Sequence, residues 1–82
     1  MLRKIIAVQP LENYRLLVTF DNGEKRIGDI TPLLERPVFS FLREKEAFCS
    51  VYLSYGALTW RDRNGNEFDI CPDKFYTDSL PA

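Results

Sequence analysis

The chain lacks histidine and has only two cysteines among its 82 residues. Without an imidazole, His-dependent acid/base catalysis, Ser-His or Cys-His triads and the usual His-containing metal sites are excluded. Cys49 and Cys71 are too few for a disulfide framework, and neither belongs to a Cys-x-x-Cys pair. We therefore expect two reduced, partly buried thiols.

A strong positive charge and a long apolar segment are also missing. The 11 basic and 12 acidic residues give a net charge of -1, which argues against unaided binding to nucleic acid, because that affinity comes from many neutralised phosphates. The longest apolar run, Ile5 to Val8, is far shorter than the roughly 18 residues of a membrane helix. The N-terminus has no signal-peptide pattern. We expect a cytoplasmic protein without membrane contact.

The small size of the chain limits its chemistry. A chain of 82 residues with 45% hydrophobic residues is predicted to form one domain over residues 1–82, with a core over residues 3–76 and a flexible tail over residues 77–82. So short a chain has little room for a deep active site. It also has no glycine-rich phosphate loop and no serine nucleophile motif. We predict a protein that is not an enzyme, with no cofactor, no metal and no catalytic residue.

The first 30 residues show the pattern of a three-stranded meander. Alternating residues in the second predicted strand place one apolar face on the core: Tyr14, Leu16, Val18 and Phe20. The Asn22-Gly23 pair supplies the positive φ angles of a tight hairpin turn. The three strands are predicted over residues 3–9, 14–20 and 25–30.

Short helices and a second hairpin are predicted after the meander. At Thr31-Pro32 the threonine hydroxyl is expected to accept a backbone N–H bond at a helix start. A second Asn-Gly turn, at Asn64-Gly65, marks the hairpin, and Asp73 is expected to cap a final turn over residues 74–76. Helical segments are predicted over residues 33–36 and 38–44, and strands over residues 49–54, 57–61 and 67–70. The fold class is therefore α+β, with an antiparallel sheet built from the N-terminal meander and the C-terminal hairpin region, and short helices between them and at the C-terminus.

The second hairpin carries a carboxylate pattern that superficially resembles a calcium loop. Oxygen donors alternate from Asp62 to Asn66, as that ion requires. An EF-hand loop has glycine at its sixth position and glutamate at its twelfth, whereas here Gly65 is fourth and Asp73 is twelfth. We interpret the segment as a solvated hairpin tip.

Aromatic and basic side chains alternate around the same hairpin. The candidate interaction surface consists of Tyr52, Tyr55, Trp60, Arg61 and Arg63. Single-stranded nucleic acid binders use this mixture for stacking and phosphate contacts, and protein interfaces are enriched in it. The acidic neighbours Asp62, Glu67 and Asp69 reduce the positive field and favour protein contact. Trp60 itself is more often a core residue than a ligand platform.

Several motifs in a fixed order resemble the family called domain of unknown function 2442, a set of small bacterial proteins. The resemblance covers nearly the whole chain, from Ile5 to Tyr76. The motifs are Phe20-Asp21-Asn22-Gly23-Glu24, Asp29-Ile30-Thr31-Pro32-Leu33-Leu34, Trp60, and the run from Asn64 to Tyr76. The family implies an α+β domain with an antiparallel sheet and short helices, without an established activity.

Within these motifs, Asp29 and Asp69 have two interpretations. Short polar side chains beside turns commonly bond to the backbone, and we prefer this structural role. The alternative places both carboxylates on a recognition surface. The insertion of Arg61-Asp62-Arg63 between Trp60 and Asn64 makes the second hairpin longer than is usual in the family.

The resemblance also bears on function. Some relatives resemble the front half of proteins with a helix-turn-helix domain, and others resemble partners in toxin–antitoxin gene pairs. We expect a non-catalytic protein-interaction or regulatory module, antitoxin-like or co-regulatory, that binds a protein partner or itself through edge strands. The alternative is a single-stranded nucleic acid binding protein, followed by a small-molecule-binding or enzymatic domain.

Overall fold

The computed structural model describes residues 3–82, so Met1 and Leu2 of the predicted domain lie outside the described residues. Within this range the strands form two antiparallel sheets, which confirms the α+β class. The first sheet contains, in spatial order, β1 (Ile5–Pro10), β2 (Arg15–Phe20), β3 (Lys25–Asp29) and β7 (Leu80–Pro81). The second sheet contains β4 (Tyr52–Ser54), β5 (Ala57–Arg61) and β6 (Glu67–Ile70).

The helices are short, and three of them carry a proline in their first turn. Pro32, Pro37 and Pro72 occupy first-turn positions, where the missing N–H has no helical partner to lose. No helix in the described part of the chain is long and apolar enough to cross a membrane. The helices are the 3-10 segments Glu12–Tyr14, Thr31–Glu35 and Pro37–Arg43, and the α-helices α1 (Lys45–Cys49) and α2 (Pro72–Asp78).

Both Asn-Gly turns are one residue longer than the predicted tight turns. Within these two turns only the glycines have positive φ, at 88° for Gly23 and 83° for Gly65. The Gly23 N–H donates to the Phe20 carbonyl, and the Phe20 N–H donates to the Glu24 carbonyl, both at 2.8–2.9 Å. These bonds define a three-residue loop with a left-handed glycine. The Asn22 side chain stabilises it by accepting the Glu24 N–H at 2.9 Å.

The core lies between the sheets and the helices. Leu16, Val18 and Phe20 are buried, so the predicted inner face of β2 is confirmed. Side chains from both sheets and from four helical segments complete one cluster. They are Ile5, Ile30, Leu34, Phe39, Leu42, Phe48, Leu58, Trp60, Ile70 and Phe75.

The two sheets meet where the β4–β5 turn approaches β1. This turn has two residues, Tyr55 and Gly56, with φ of 52° and 77°, as a primed hairpin turn requires. The Gly56 carbonyl accepts the Ile5 N–H at 2.9 Å. This junction joins two sheets where the sequence predicted one.

The prediction of a flexible tail over residues 77–82 is wrong for most of that segment. Helix α2 continues to Asp78. Leu80 of β7 then pairs with Ile27 of β3. Arg26 holds the segment by donating to the Ser79 hydroxyl at 2.7 Å and to its carbonyl at 2.6 Å. The segment therefore forms the fourth strand of the first sheet.

The predicted strand beginning at Cys49 is also shorter than expected. Cys49 ends helix α1, and β4 starts only at Tyr52.

Both Cys49 and Cys71 are exposed rather than partly buried, because each lies at a helix end.

Candidate interaction surface

Trp60 does not belong to the predicted surface. Its side chain is fully buried, and its indole N–H donates to the Phe48 carbonyl at 3.0 Å. The ring lies edge-on to Phe39, with centroids 6.4 Å apart. Because β5 turns this residue inward, Trp60 is a core residue, and its prediction as a surface contact is wrong.

Tyr52 and Arg61 lie on the outer face of the second sheet, where Glu67 binds both. The Tyr52 hydroxyl donates to the Glu67 carboxylate, and Arg61 lies 3.5 Å from that carboxylate. The hydroxyl bond lowers the pKa of Glu67 and raises the pKa of Tyr52. The positive charge of Arg61 is therefore paired within the sheet, which leaves less of it for a phosphate backbone.

Tyr55 and Asp69 border a shallow depression on the same outer face. Tyr55 is fully exposed and holds a left-handed backbone at φ 52°. Asp69 is exposed and pairs in register with Thr59. The structure thus brings together Tyr52, Tyr55, Arg61 and Asp69 from the predicted set.

Arg63 lies apart from them, at the tip of the β5–β6 hairpin. Its guanidinium is 3.6 Å from Glu44, and its side chain is 90% exposed. The neighbouring Asp62 carboxylate accepts the backbone N–H groups of Asn64 and Asn66, both at 2.9 Å. Burial opposes ionisation of Asp62, but these bonds outweigh it and lower the pKa of the carboxyl.

Asp62 therefore stabilises a turn. Across residues 3–82, no three His, Cys, Asp or Glu side chains are grouped closely enough to hold a metal ion.

Asp29 stabilises the start of the 3-10 segment Thr31–Glu35. Its carboxylate accepts the Thr31 N–H at 2.8 Å and the Thr31 hydroxyl at 2.6 Å. The threonine hydroxyl is thus a donor here, and the predicted threonine cap is wrong. Asp73 is not a cap either, because its carboxylate accepts from the Arg3 backbone at 3.3 Å and from its guanidinium at 3.0 Å.

An apolar row that was not predicted from the sequence lies on the outer face of the first sheet. Leu17, Ile27 and Leu80 lie side by side in the register of β2, β3 and β7. They alternate with the inward residues Leu16, Val18 and Gly28, so they point away from the core. Leu80 is 72% exposed. Among the described residues, none of the three packs against the core cluster. We call these three residues the apolar row.

Charged and polar residues border the apolar row on both sides. On one side Arg15 pairs in register with Asp29, and on the other side Thr19 pairs with Lys25. Arg15, Lys25 and Asp29 are exposed, and Thr19 is half-buried. The apolar row and these four residues are called the open face. The alternation of residues in β2 predicts the orientation of Leu17, but no sequence pattern predicts the pairing of β7 that adds Leu80.

A second feature that sequence analysis missed joins helix α2 to β3. The Tyr76 ring lies between the guanidinium groups of Arg3, at 3.8 Å, and Arg26, at 4.2 Å. Its hydroxyl donates to Glu24 at 2.7 Å. That hydrogen bond is the main cause that lowers the pKa of Glu24, with Arg26 adding to it. These contacts fix the position of helix α2.

Helix α2 also forms one wall of a groove of about 430 Å³. Ile30, Leu33 and Phe75 line it with apolar surface. At its rim the Lys74 ammonium is paired with Asp78 at 2.9 Å. The groove offers apolar contact area, and the rim charge of Lys74 is already compensated.

Comparison with known proteins identifies a family. A family model described as "Protein of unknown function (DUF2442)" matches residues 5–80. No match is found among curated proteins or among solved structures. The matched range covers nearly the whole chain and includes both hairpins, helix α2 and the apolar row. The chain therefore belongs to the DUF2442 family of proteins of unknown function.

Proposed function

We propose that this chain is a non-catalytic protein-interaction module and that the open face is its binding surface. The observation that carries the proposal is the apolar row on the outer face of the first sheet, in which Leu17 and Ile27 are half-buried and Leu80 is exposed. Contiguous apolar surface with a polar border is typical of protein contact sites.

The composition of the open face supports a protein partner over a nucleic acid. Its centre is apolar, and its border combines two basic residues with the acidic Asp29. Protein interfaces have such a centre with few charges. Nucleic acid binding requires a concentration of unpaired basic charge. On the second sheet, Arg61 is paired with Glu67, which further supports this preference.

Binding through a sheet face fits the structure better than the predicted binding through a sheet edge. One edge of the first sheet is β7, which has only two residues. The opposite edge, β1, is bonded to the Gly56 carbonyl at its first residue, Ile5, and ends at Pro10, which has no N–H to donate. The edge strand β6 alternates the acidic residues Glu67 and Asp69, which discourages strand addition.

The ionisable groups support a role without catalysis. The pKa of Glu24, Asp62, Glu67 and Asp73 is lowered in each case by bonds that hold a turn, a helix or a strand pair. A general acid or base near neutral pH needs the opposite shift for a carboxylate.

A quantitative pull-down from lysate of the source cells tests this proposal. Tagged wild type, Ile27→Glu and the control Arg63→Glu are compared after nuclease treatment, with identification by mass spectrometry. We expect the wild type and the control to retain one protein, either another copy of this chain or a different protein, and Ile27→Glu to lose it, because a buried carboxylate is costly at an apolar contact. Loss in the control but not in Ile27→Glu would assign binding to the second sheet instead. Recovery of nucleic acid alone would overturn the proposal.

A further inference from the structure

We propose that the occupant of the open face is a second copy of this chain, packed face to face about a two-fold axis that runs along the apolar row. This inference rests on the proposed function and names its partner. It follows from the symmetry of the residues on the open face about that row.

The axis lies between the two sheets and runs perpendicular to the strands. Rotation about it places each strand opposite its own copy, but with the copy running in the opposite direction. Each residue of the apolar row then faces its own copy, so Leu17, Ile27 and Leu80 form one continuous apolar layer. Aligned packing of two sheets at about 10 Å allows such side chains to interdigitate. A two-fold contact of this kind uses the same surface on both chains.

The charges on the open face are complementary under the same operation. Lys25 and Asp29 lie on β3, each two residues from Ile27, in opposite directions. The axis therefore places Lys25 of each copy opposite Asp29 of the other copy. On β2, Arg15 and Thr19 are related in the same way about Leu17, so Arg15 faces a neutral hydroxyl. No like charges in the open face are placed directly opposite each other, which favours this register.

The size of the open face indicates a weak dimer. Three strands at about 4.8 Å spacing and five residues at about 3.4 Å rise span roughly 14 by 17 Å. This is roughly 240 Å² per copy, well below the 800 Å² or so per partner of a standard interface. We expect weak, transient association.

Sedimentation of the full chain from about 10 µM to 1 mM tests the association. We expect Ile27→Glu to raise the dissociation constant of the dimer at least about tenfold. Lys25→Glu should weaken it several-fold, because it places Glu opposite Asp29, and this effect should shrink at high salt. Arg63→Glu makes the same charge change away from the open face and should leave the dimer unchanged. Circular dichroism checks whether Ile27→Glu is folded. If it is misfolded, Lys25→Glu still tests the proposal, because Lys25 is exposed and its substitution should leave the fold intact.

Chemical cross-linking tests the position of the axis. In a Cys49→Ser, Cys71→Ser background, Ile27→Cys places two thiols near the axis, closer together than one sheet spacing because both side chains point into the space between the sheets. A bis-maleimide with roughly 10 Å reach should cross-link it efficiently. Lys25→Cys places the thiols about four residues apart along the strands, roughly 13 Å sideways, and should cross-link poorly.

Two results separate this inference from the proposed function. A wild-type chain that stays monomeric at 1 mM, while Ile27→Glu still abolishes capture of another protein, overturns the self-association and leaves the function standing. If Ile27→Glu changes neither association nor capture, both proposals fail. A dimer that cross-links through Lys25→Cys but not Ile27→Cys overturns the proposed axis.

Discussion

Trp60 and Tyr55 are five residues apart in sequence, yet the Trp60 side chain is fully buried and the Tyr55 side chain is fully exposed. Trp60 lies on β5 and points into the core, where its indole N–H donates to the Phe48 carbonyl. Tyr55 lies in the turn between β4 and β5. Both were predicted as contacts, and only Tyr55 is accessible to a partner.

Trp60→Phe should lower the free energy of unfolding by about 2 kcal/mol, because it leaves a cavity and deprives the buried Phe48 carbonyl of its indole partner. Urea unfolding measures the loss. The control Tyr55→Phe removes a hydroxyl from a fully exposed ring and should change stability by less than about 0.5 kcal/mol. Equal stability of the two variants would contradict the core role of Trp60.

Tyr55→Asn should raise the free energy of unfolding by about 0.5–1 kcal/mol. Tyr55 has φ 52° at the first central position of a primed turn, where Asn-Gly is the favoured pair. The matched variant Tyr55→Ala retains the left-handed penalty and should show no gain. Thermal unfolding compares the three proteins. A gain in Tyr55→Ala equal to that in Tyr55→Asn would show that the backbone conformation is not the cause.

At the scale of elements, the docking of helix α2 on β3 depends on a residue without a side chain. A Cβ at Gly28 would lie 2.5 Å from the Phe75 ring, and that ring is buried at 5% exposure. The Tyr76 contacts with Arg3 and Arg26 also hold this helix. The residues that these contacts join are 47 to 73 positions apart in sequence.

Gly28→Ala should therefore destabilise the protein by about 1–3 kcal/mol through overpacking. Phe75→Leu provides a smaller neighbour, so the double variant should be more stable than the sum of the single effects predicts. A double-variant cycle by urea unfolding measures this coupling. Strict additivity would show that the methyl group does not meet the ring.

The predictability of the elements depends on the range of their contacts. The strand β2 was predicted because its alternation is a local pattern, and its inner face is confirmed by Leu16 and Val18. Helix α1 and strand β7 were missed. The five residues of α1 carry no capping side-chain bond, and β7 is defined by Arg26 and Ile27, which are distant in sequence. The apolar row was missed for the same reason, since Leu80 joins it only through β7.

At the scale of the whole molecule, four carboxylates stabilise the folded state in their ionised form. Glu24, Asp62, Glu67 and Asp73 all have a lowered pKa. A lowered folded-state pKa contributes stability that is present above the unfolded pKa and is lost as the pH falls through the folded pKa. The ordinary values of 4.5 for Glu and 3.8 for Asp mark the upper end of this window.

The melting temperature should therefore fall as the pH decreases from about 5 to below 3. Glu24→Gln removes one of these groups and weakens the contact with Tyr76, so it should melt below the wild type at pH 7. The difference should narrow at pH 3, where Glu24 of the wild type is increasingly protonated. Calorimetry at both pH values measures it, and a difference that widens at pH 3 would contradict the assigned pKa direction.

Amide chemical shifts of the labelled chain, recorded in dilute and in concentrated solution, test the role of the open face most directly. We predict concentration-dependent shifts or broadening around Leu17, Ile27 and Leu80, with the second sheet unchanged. Perturbation confined to Tyr52, Arg61 and Asp69, or no perturbation anywhere together with unchanged capture of proteins by Ile27→Glu, would contradict the account.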